Sequence, residues 1–354
     1  MKLSIVIPTY YEGKNLKELF DRIFKVVPDA EVIVVDDNSQ DDTSEICAKS
    51  KITSLIVRRN ERGLATACVE GFKDATGDII LVMDADLQHP PEHIPNLVKS
   101  IESGYDIAIG SRFTDSGSVG TFGLKRRIIS KGAETLSNTL FPKLKTIKDK
   151  QSGFFAFKKD VIKDVKLNPV GYKILLEILV AGNYKKVDEV GFTFGERFAG
   201  DSKLGSGTIF SYLNHMFRLS VSSGKLRQIM RFLLVGLSGT FVNLMVLYLL
   251  TVFGLFYLFS GLIAIEFSLL TNFFLNRYWT FSKEAKNISF GKSIVKDHIV
   301  RIMGVIVNFF CLIVLTEVFL FNFMVSMTIG IVFATMWNLV LNMNWIYKEE
   351  RNDK

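Results

Sequence analysis

Along the first part of the chain, short apolar runs alternate with amphipathic stretches. Leu3–Ile7, Glu31–Val35, Ile52–Val57 and Asp78–Met83 read as strands. Between them, Asn15–Val27, Asp41–Ser50 and Gly63–Ala75 repeat their apolar positions at helical spacing. Strand–helix alternation of this kind predicts an α/β domain whose mostly parallel sheet is covered on both faces. In such sheets ligands bind beyond the carboxyl ends of the strands. The polar clusters fall there: Pro8-Thr9-Tyr10-Tyr11-Glu12 after the first strand, Asp36-Asp37-Asn38-Ser39 after the second, Asp84 to Gln88 after the fourth. No Gly-x-Gly-x-x-Gly or Gly-x-x-x-x-Gly-Lys-Ser/Thr loop follows the first strand, which argues against dinucleotide and P-loop sites.

The pattern changes in the last third. Phe232 to Ile265 carries no charge, and apolar runs follow at Phe267–Asn276, Ile302–Thr316 and Val318–Tyr347. Broken at Phe253–Leu255 and Leu320–Phe323, they give four spans of about 20 residues, the length a bilayer requires. The expected transmembrane helices are about 232–253, 256–276, 302–321 and 324–345. Lys225, Arg227 and Arg231 precede the first, Arg277, Lys283, Lys286, Lys292, Lys296 and Arg301 separate the second from the third, and Lys348, Arg351 and Lys354 follow the fourth. The other two connections have no Lys or Arg, so the positive-inside rule puts both termini and the preceding α/β domain in the cytoplasm. These flanks account for part of the formal charge of +7 among 43 basic and 36 acidic residues, and nucleic-acid binding is not the preferred reading.

Met83-Asp84-Ala85-Asp86-Leu87-Gln88-His89-Pro90-Pro91 is the most telling stretch, because a buried-type run ends in two carboxylates spaced i, i+2. Alternate strand residues share a face, roughly 7 Å apart along the backbone. Two hard oxygen donors in that position suit Mg²⁺ or Mn²⁺ bound together with a diphosphate. The competing reading is an ordinary turn before a helix that Pro90-Pro91 starts. Asp36 or Asp37 can likewise cap the following helix, and His89 can be a turn residue rather than a catalytic one.

Five ordered motifs carry a family resemblance: Pro8-Thr9-Tyr10-x-Glu12, Val34-Val35-Asp36-Asp37-x-Ser39, Asp78 with Met83-Asp84-Ala85-Asp86, Gly110-Ser111-Arg112 and Gln151-Ser152-Gly153-Phe154. The first part of the chain resembles family 2 glycosyltransferases with the GT-A fold. Asp84 to Pro91, Leu124 to Ala133 and Gly171 to Glu177 resemble, more narrowly, dolichyl-phosphate mannose synthases, a likeness running to about residue 204. The resemblance implies that Pro8, Tyr10, Glu12, Val35 and Asp37 hold the nucleoside, and that Asp84, Asp86 and Gln88 surround a divalent cation and the diphosphate, with Arg197 also touching the donor. It places Arg112, Arg126, Ser130 and Arg197 at the acceptor phosphate, where guanidinium forks match phosphate oxygens, and assigns Asp86, Arg112 and Arg197 to catalysis. The loop from Phe192 to Lys203 corresponds to a mobile acceptor lid in the family. A phosphate nucleophile with a second pKa of about 6 needs little help from a general base, and the chain holds only four histidines.

The expected organisation is a GT-A domain at 1–204, amphipathic interface helices at 205–228 and a four-span membrane domain at 229–348. Ile209, Tyr212, Leu213, Met216, Phe217 and Ser220 follow helical spacing, as in an interfacial helix or one packed on the soluble domain. Asn272-x-x-Leu275-Asn276-x-x-Trp279-x-Phe281 recurs as Asn338-x-x-Leu341-Asn342-x-x-Trp345-x-Tyr347. This repeat of two hairpins resembles the GtrA-like four-span proteins, a family associated with polyprenyl-linked sugars and, for some members, with suggested lipid translocation. Glu266, expensive inside a span unless paired, is expected to hydrogen-bond a neighbouring helix such as that carrying Asn243. Cys47, Cys68 and Cys311 lack metal spacing and fit a reducing cytoplasm. Met1-Lys2 enters a strand directly, so no cleavable signal is expected.

The resemblance as a whole implies transfer of mannose from GDP-mannose to dolichyl or another polyprenyl phosphate, with inversion, at the cytoplasmic membrane face. The alternatives are a polyprenyl-phosphate glucosyltransferase using UDP-glucose, and a lipid-linked-sugar translocase or scaffold.

Overall fold

Seven strands form one sheet in the order β3-β2-β1-β4-β6-β5-β7: β1 Leu3–Thr9, β2 Glu31–Asp36, β3 Ser54–Val57, β4 Ile79–Val82, β5 Ile107–Ser111, β6 Phe155–Lys158 and β7 Val187–Gly191. The computed structural model describes residues 1–114, 124–169, 171, 173–193, 195 and 207–348. It divides into one compact unit within 1–137 and 143–219 and another within 138–142 and 220–350.

In the first unit β1 and β2 are buried at every position. Strands of a parallel sheet have no solvent face, so their sequences are near-continuous apolar runs. The pairings β1–β2, β1–β4, β2–β3 and β5–β7 are parallel; β6, between β4 and β5, is antiparallel to both. Helices α1 (Gly13–Val26) and α4 (Ile94–Glu102) share a core cluster with β1, β2 and β4 that includes Leu16, Leu19, Ile23, Leu97 and Ile101. Helix α3 (Leu64–Asp74) lies so close to the sheet that a Cβ at Gly71 would sit 2.4 Å from Val6 Cγ1. Because the chain passes from β1 outward through β2 and β3 and returns to β4 on the other side, the topological switch falls between β1 and β4. Ligands of open α/β sheets bind at that crevice.

The second unit is four long helices, α8 (Lys225–Val252), α9 (Tyr257–Leu275), α10 (Phe290–Ile313) and α11 (Phe323–Leu341), the last three continuing into π-helical turns. Counted with those turns they run 28, 24, 29 and 24 residues and are apolar enough to cross a membrane. Outward-facing side chains such as Leu237, Phe241, Phe310 and Leu320 are strongly exposed, as lipid-facing residues should be. The helix of the third apolar run starts at Phe290 rather than near residue 302. It tolerates its early charges because Asp297, fully buried, pairs with Arg301 Nε at 2.6 Å, while Lys296 lies 5.2 Å over the Trp345 ring.

The sequence repeat is a structural repeat. Arg231 lies over Trp279 and donates to its carbonyl oxygen at 3.3 Å; Lys296 does the same at Trp345, also at 3.3 Å. A Cβ at Gly239 would fall 2.3 Å from the Asn272 amide, and one at Gly304 2.5 Å from Asn338 Oδ1. Phe281 and Tyr347, equivalent in the two repeats, stack on each other with centroids 4.7 Å apart. Glu266 does find a partner, but on α10: His298 Nε2, at 3.3 Å, whose Nδ1 lies 2.9 Å from the Ile294 carbonyl.

Candidate active site

The loops after β1 and β2 start side by side, because Pro8 and Val35 are register partners and both are buried. Asp36 ties them together: it accepts from Thr9 Oγ1 at 3.1 Å, Ser39 Oγ at 2.6 Å and the Ser39 N–H at 2.8 Å. Asp37 accepts from Arg58 Nε at 2.7 Å and the Gly63 N–H at 2.7 Å, and also meets Arg58 Nη2. Neither carboxylate caps α2 (Thr43–Lys49), which begins further on. Tyr10 lies under the Arg62 guanidinium, 5.1 Å from its ring centroid, and Glu12 Oε2 accepts from Asn15 Nδ2 at 2.7 Å. The predicted nucleoside residues thus line the carboxyl edge of two adjacent strands.

After β4, Met83 and Ala85 point into the core while Asp84 and Asp86 take the alternate positions. The Asp84 side chain is 34% exposed, whereas Asp86 is 5% exposed and accepts the Gln88 N–H at 3.1 Å. Leu87 turns the chain at φ 63°, in the left-handed region. His89 Nδ1 accepts the Asp84 N–H at 3.0 Å, which leaves the ring's proton on Nε2. Burial holds the His89 pKa below the usual imidazole range against the pull of Asp84 and Asp86. The 3.6 Å approach of Nδ1 to Asp84 Oδ2 is therefore not an ion pair. Stacked on Phe154 at 5.3 Å, His89 is a brace for the turn.

Glycines let two other segments reach this turn. A Cβ at Gly153 would sit 3.1 Å from both Asp84 Oδ2 and His89 Cε1. Gly195 donates its N–H to the Gln88 carbonyl at 3.0 Å, and Gln88 Nε2 points back to the Gly195 carbonyl at 3.5 Å.

Arg112 follows β5 and is clamped by Asp149: Nε donates to Oδ2 at 2.8 Å, Nη2 to Oδ1 at 2.9 Å and the Arg112 N–H to Oδ2 at 3.1 Å. Asp149 is 2% exposed, and the loop carrying it is held by Glu189 of β7, whose two oxygens accept the N–H groups of Asp149 and Lys148 at 2.8 and 2.9 Å. Burial works against the guanidinium charge, but the Asp149 bonds and the nearby Asp84 charge outweigh it and raise the Arg112 pKa. Ser152 Oγ donates to the Gly110 carbonyl at 2.7 Å, joining the Gln151-Ser152-Gly153 loop to the end of β5.

The Gln151-Ser152-Gly153 loop joins the two halves of the site: Ser152 is hydrogen-bonded to Gly110, two residues before Arg112, and Gly153 packs on Asp84 and His89. Asp149, Arg58 and Glu189 were not among the residues expected from sequence. An aspartate two positions before Gln151 was the only signal for Asp149, and nothing local ties Glu189 to it. Arg126 and Ser130 lie on α5 (Leu124–Leu140), described there by its backbone alone; Arg197 lies outside the described residues.

The donor set fits a hard cation. Asp84 presents a partly exposed carboxylate, Asp86 a buried one that also accepts the Gln88 N–H, and the Gln88 side chain adds an amide oxygen. Among the described residues no three His, Cys, Asp or Glu side chains converge. Mg²⁺-type ions take one or two carboxylates and complete their shell with substrate phosphates, a demand that the Asp84–Asp86 pair can meet.

Residues 4–166 match glycosyl transferase family 2, and residues 231–347 match the GtrA/DPMS transmembrane domain. The chain is 45% identical over 347 residues to the dolichol-phosphate mannosyltransferase of Pyrococcus furiosus, covering 97% of this chain and 98% of that one. It is 36% identical over 233 residues to the enzyme of the same name from Mycosarcoma maydis, covering 61% of this chain and 78% of that one, and 35% identical over 240 residues to that of Saccharomyces cerevisiae, covering 62% and 88%. Glucosyl-3-phosphoglycerate synthase of Mycobacterium tuberculosis, solved with Mn²⁺, UDP-glucose and phosphoglyceric acid, superposes with a TM-score of 0.50 at 20% identity over 63% of this chain and 79% of that one. That likeness speaks for a GT-A-like fold over the matched part, the mostly parallel sheet; the four helices suited to a membrane belong to the region matched by the GtrA/DPMS transmembrane domain.

Proposed function

This chain belongs to the dolichol-phosphate mannosyltransferase family, and from that premise we propose that it moves mannose from GDP-mannose to dolichyl or another polyprenyl phosphate. The observation that supports the reading is the Asp84–Asp86 turn, braced by His89 and joined to the Arg112 end of β5 through the Ser152-Gly153 loop, in a chain 45% identical over 97% of its length to such a transferase. The catalytic domain ends near residue 204, and the membrane domain spans 229–348. The basic flanks of the spans support, by the positive-inside rule, a cytoplasmic catalytic domain with both termini on the same side.

In this reading Pro8, Tyr10, Glu12, Val35 and Asp37 receive the nucleoside, and Asp84, Asp86, Gln88 and Arg197 the diphosphate end. Asp84, Asp86 and Gln88 would hold a divalent cation, which would supply positive charge against the developing charge of the departing GDP. Arg112, Arg126, Ser130 and Arg197 hold the acceptor phosphate, and the Asp149 clamp presents Arg112 in one orientation. A phosphate oxygen bonds to the anomeric carbon as the carbon–oxygen bond to the diphosphate breaks, with inversion. The dianionic monoester has no proton to lose, so no general base is required. His89, neutral and committed to the Asp84 N–H, holds the turn instead. Catalysis is then the positioning of two anions and the neutralisation of their charge.

The test supplies detergent-purified protein with Mn²⁺, dolichyl phosphate and radiolabelled GDP-mannose or UDP-glucose, and counts label in the organic phase. Label from GDP-mannose alone is expected. Label from UDP-glucose alone would keep the mechanism and overturn the sugar.

A further inference from the structure

Helix α7 (Gly207–Ser222) lies just before the first span in sequence. The predicted apolar face of this helix is divided. His215, Met216 and Leu219 are buried and Tyr212 partly so, whereas Leu213, Phe217 and Val221 are 49%, 58% and 51% exposed. Leu213, Phe217 and Val221 follow one another at i, i+4 and i+8, so they form a single stripe suited to a membrane surface. The buried side makes two polar ties. Tyr212 Oη donates to the Ala133 carbonyl of α5 at 2.8 Å, and its hydroxyl also meets the side chains of Ser137 and Gln151. His215 Nε2 lies 2.9 Å from Glu177 Oε2 of α6 (Ile174–Ala181), with the two side chains 1% and 6% exposed. The other Glu177 oxygen accepts the Asn168 N–H at 3.0 Å.

What Tyr212 grips is informative. At 100° per residue, Arg126, Ser130, Ala133 and Ser137 fall within about 60° of one another around α5, on one stripe. The hydroxyl therefore fastens the stripe of α5 positions on which the two expected acceptor-phosphate residues fall, about one turn beyond Ser130. It also touches Gln151, two residues after the Asp149 that clamps Arg112. His215, one turn from Tyr212, secures the same helix to Glu177.

We infer that Tyr212 and His215 are positioning residues for the acceptor: through them the helix with the membrane-suited stripe sets the placement of the α5 phosphate stripe and of the Gln151 loop. A lipid phosphate arrives at a fixed height above a bilayer, so the groups that meet it need a fixed relation to the helix that rests on that surface. The inference rests on the proposed function for the identity of the acceptor as a polyprenyl phosphate.

The test uses the full chain with Tyr212→Phe, His215→Leu and His215→Gln, the last retaining a donor toward Glu177. Initial rates are measured against polyprenyl phosphate at saturating donor, and against donor at saturating acceptor. Loss of one such hydrogen bond, worth about 0.5–1.5 kcal/mol, converts to about a two- to twelvefold rise in acceptor KM. The expected result is that rise for Tyr212→Phe and His215→Leu, with donor KM unchanged, and recovery in His215→Gln. Equilibrium binding of tritiated farnesyl phosphate should weaken by the same factor, a readout that stands even if the donor is not GDP-mannose. Acceptor KM and farnesyl phosphate binding left unchanged, or both substrates affected alike in step with a lowered Tm, would overturn the inference.

Discussion

Replacing Asp149 by Asn probes the site through a residue that touches no substrate. The aspartate accepts three hydrogen bonds from Arg112, two of them from the guanidinium at 2.8 and 2.9 Å, in a nearly fully buried position. Asparagine keeps one oxygen acceptor but turns an amide NH₂ toward the fork, so one charge-assisted bond becomes a confrontation of donors. Hydrogen bonds to charged groups contribute about 1.5–3 kcal/mol. If the clamp is what presents Arg112 to the acceptor phosphate, that energy appears as an acceptor kcat/KM lowered about 10- to 150-fold, at a tenfold change per 1.36 kcal/mol. The donor KM should hold. Arg112→Lys, which retains charge but not the fork, should fall in the same range. Steady-state kinetics with each substrate varied in turn provide the assay, with Tm as a control for folding. An Asp149→Asn enzyme within twofold of wild type on both substrates would refute the reasoning.

Three further outcomes follow from the geometry. Gly153→Ala places a methyl 3.1 Å from Asp84 Oδ2, so Asp84 must shift; the Mn²⁺ concentration for half-maximal activity should rise severalfold, and an unchanged metal titration would count against Asp84 as a ligand. Glu31 is held below the usual carboxylate range: burial opposes this, but bonds from Ser4, the Thr76 N–H at 2.8 Å and the Thr76 hydroxyl at 2.7 Å prevail, with Lys2 adding to them. A depressed carboxylate stabilises the fold above its unfolded pKa of about 4.3 and loses that contribution as pH falls through the folded value. Glu31→Gln should therefore cost about 1–2 kcal/mol at pH 7, with the gap from wild type closing below about pH 4; a gap independent of pH in thermal unfolding would contradict it. In the membrane unit, Gly239→Val drives a side chain into the Asn272 amide and should lower the unfolding temperature in detergent, as overpacking costs about 1–3 kcal/mol. Gly261→Val, which meets open space, should be far milder.

What could be read beforehand was whatever local pattern determines. The β1, β2 and β4 runs are buried on both faces, so their composition alone marks them, and the Asp84–Asp86 pair is recognisable because it interrupts such a run. The four spans were legible from length and charge, and the Asn–Asn–Trp repeat does correspond to duplicated hairpins. What was not legible depends on contacts distant in sequence. Asp149 meets Arg112 across 37 positions and Glu189 across 40, and these contacts exist only because β5, β6 and β7 are neighbours. Glu266 found His298, 32 residues away, rather than the helix of Asn243, because a side-chain pair between helices depends on their rotation, which spacing does not reveal. Helix α7 shows the same limit: periodicity located its apolar arc, but only packing shows which half is covered by α5 and α6 and which is left exposed.

The central claim is that the carboxylate pair after β4 drives sugar transfer to a lipid phosphate. The most direct measurement compares wild type and Asp86→Ala, folded to the same Tm, for the initial rate at which label from GDP-mannose enters the organic phase with dolichyl phosphate and Mn²⁺. A loss of at least about a hundredfold in Asp86→Ala is predicted, the scale of removing one group that stabilises developing charge. Equal rates in the two proteins would contradict the account.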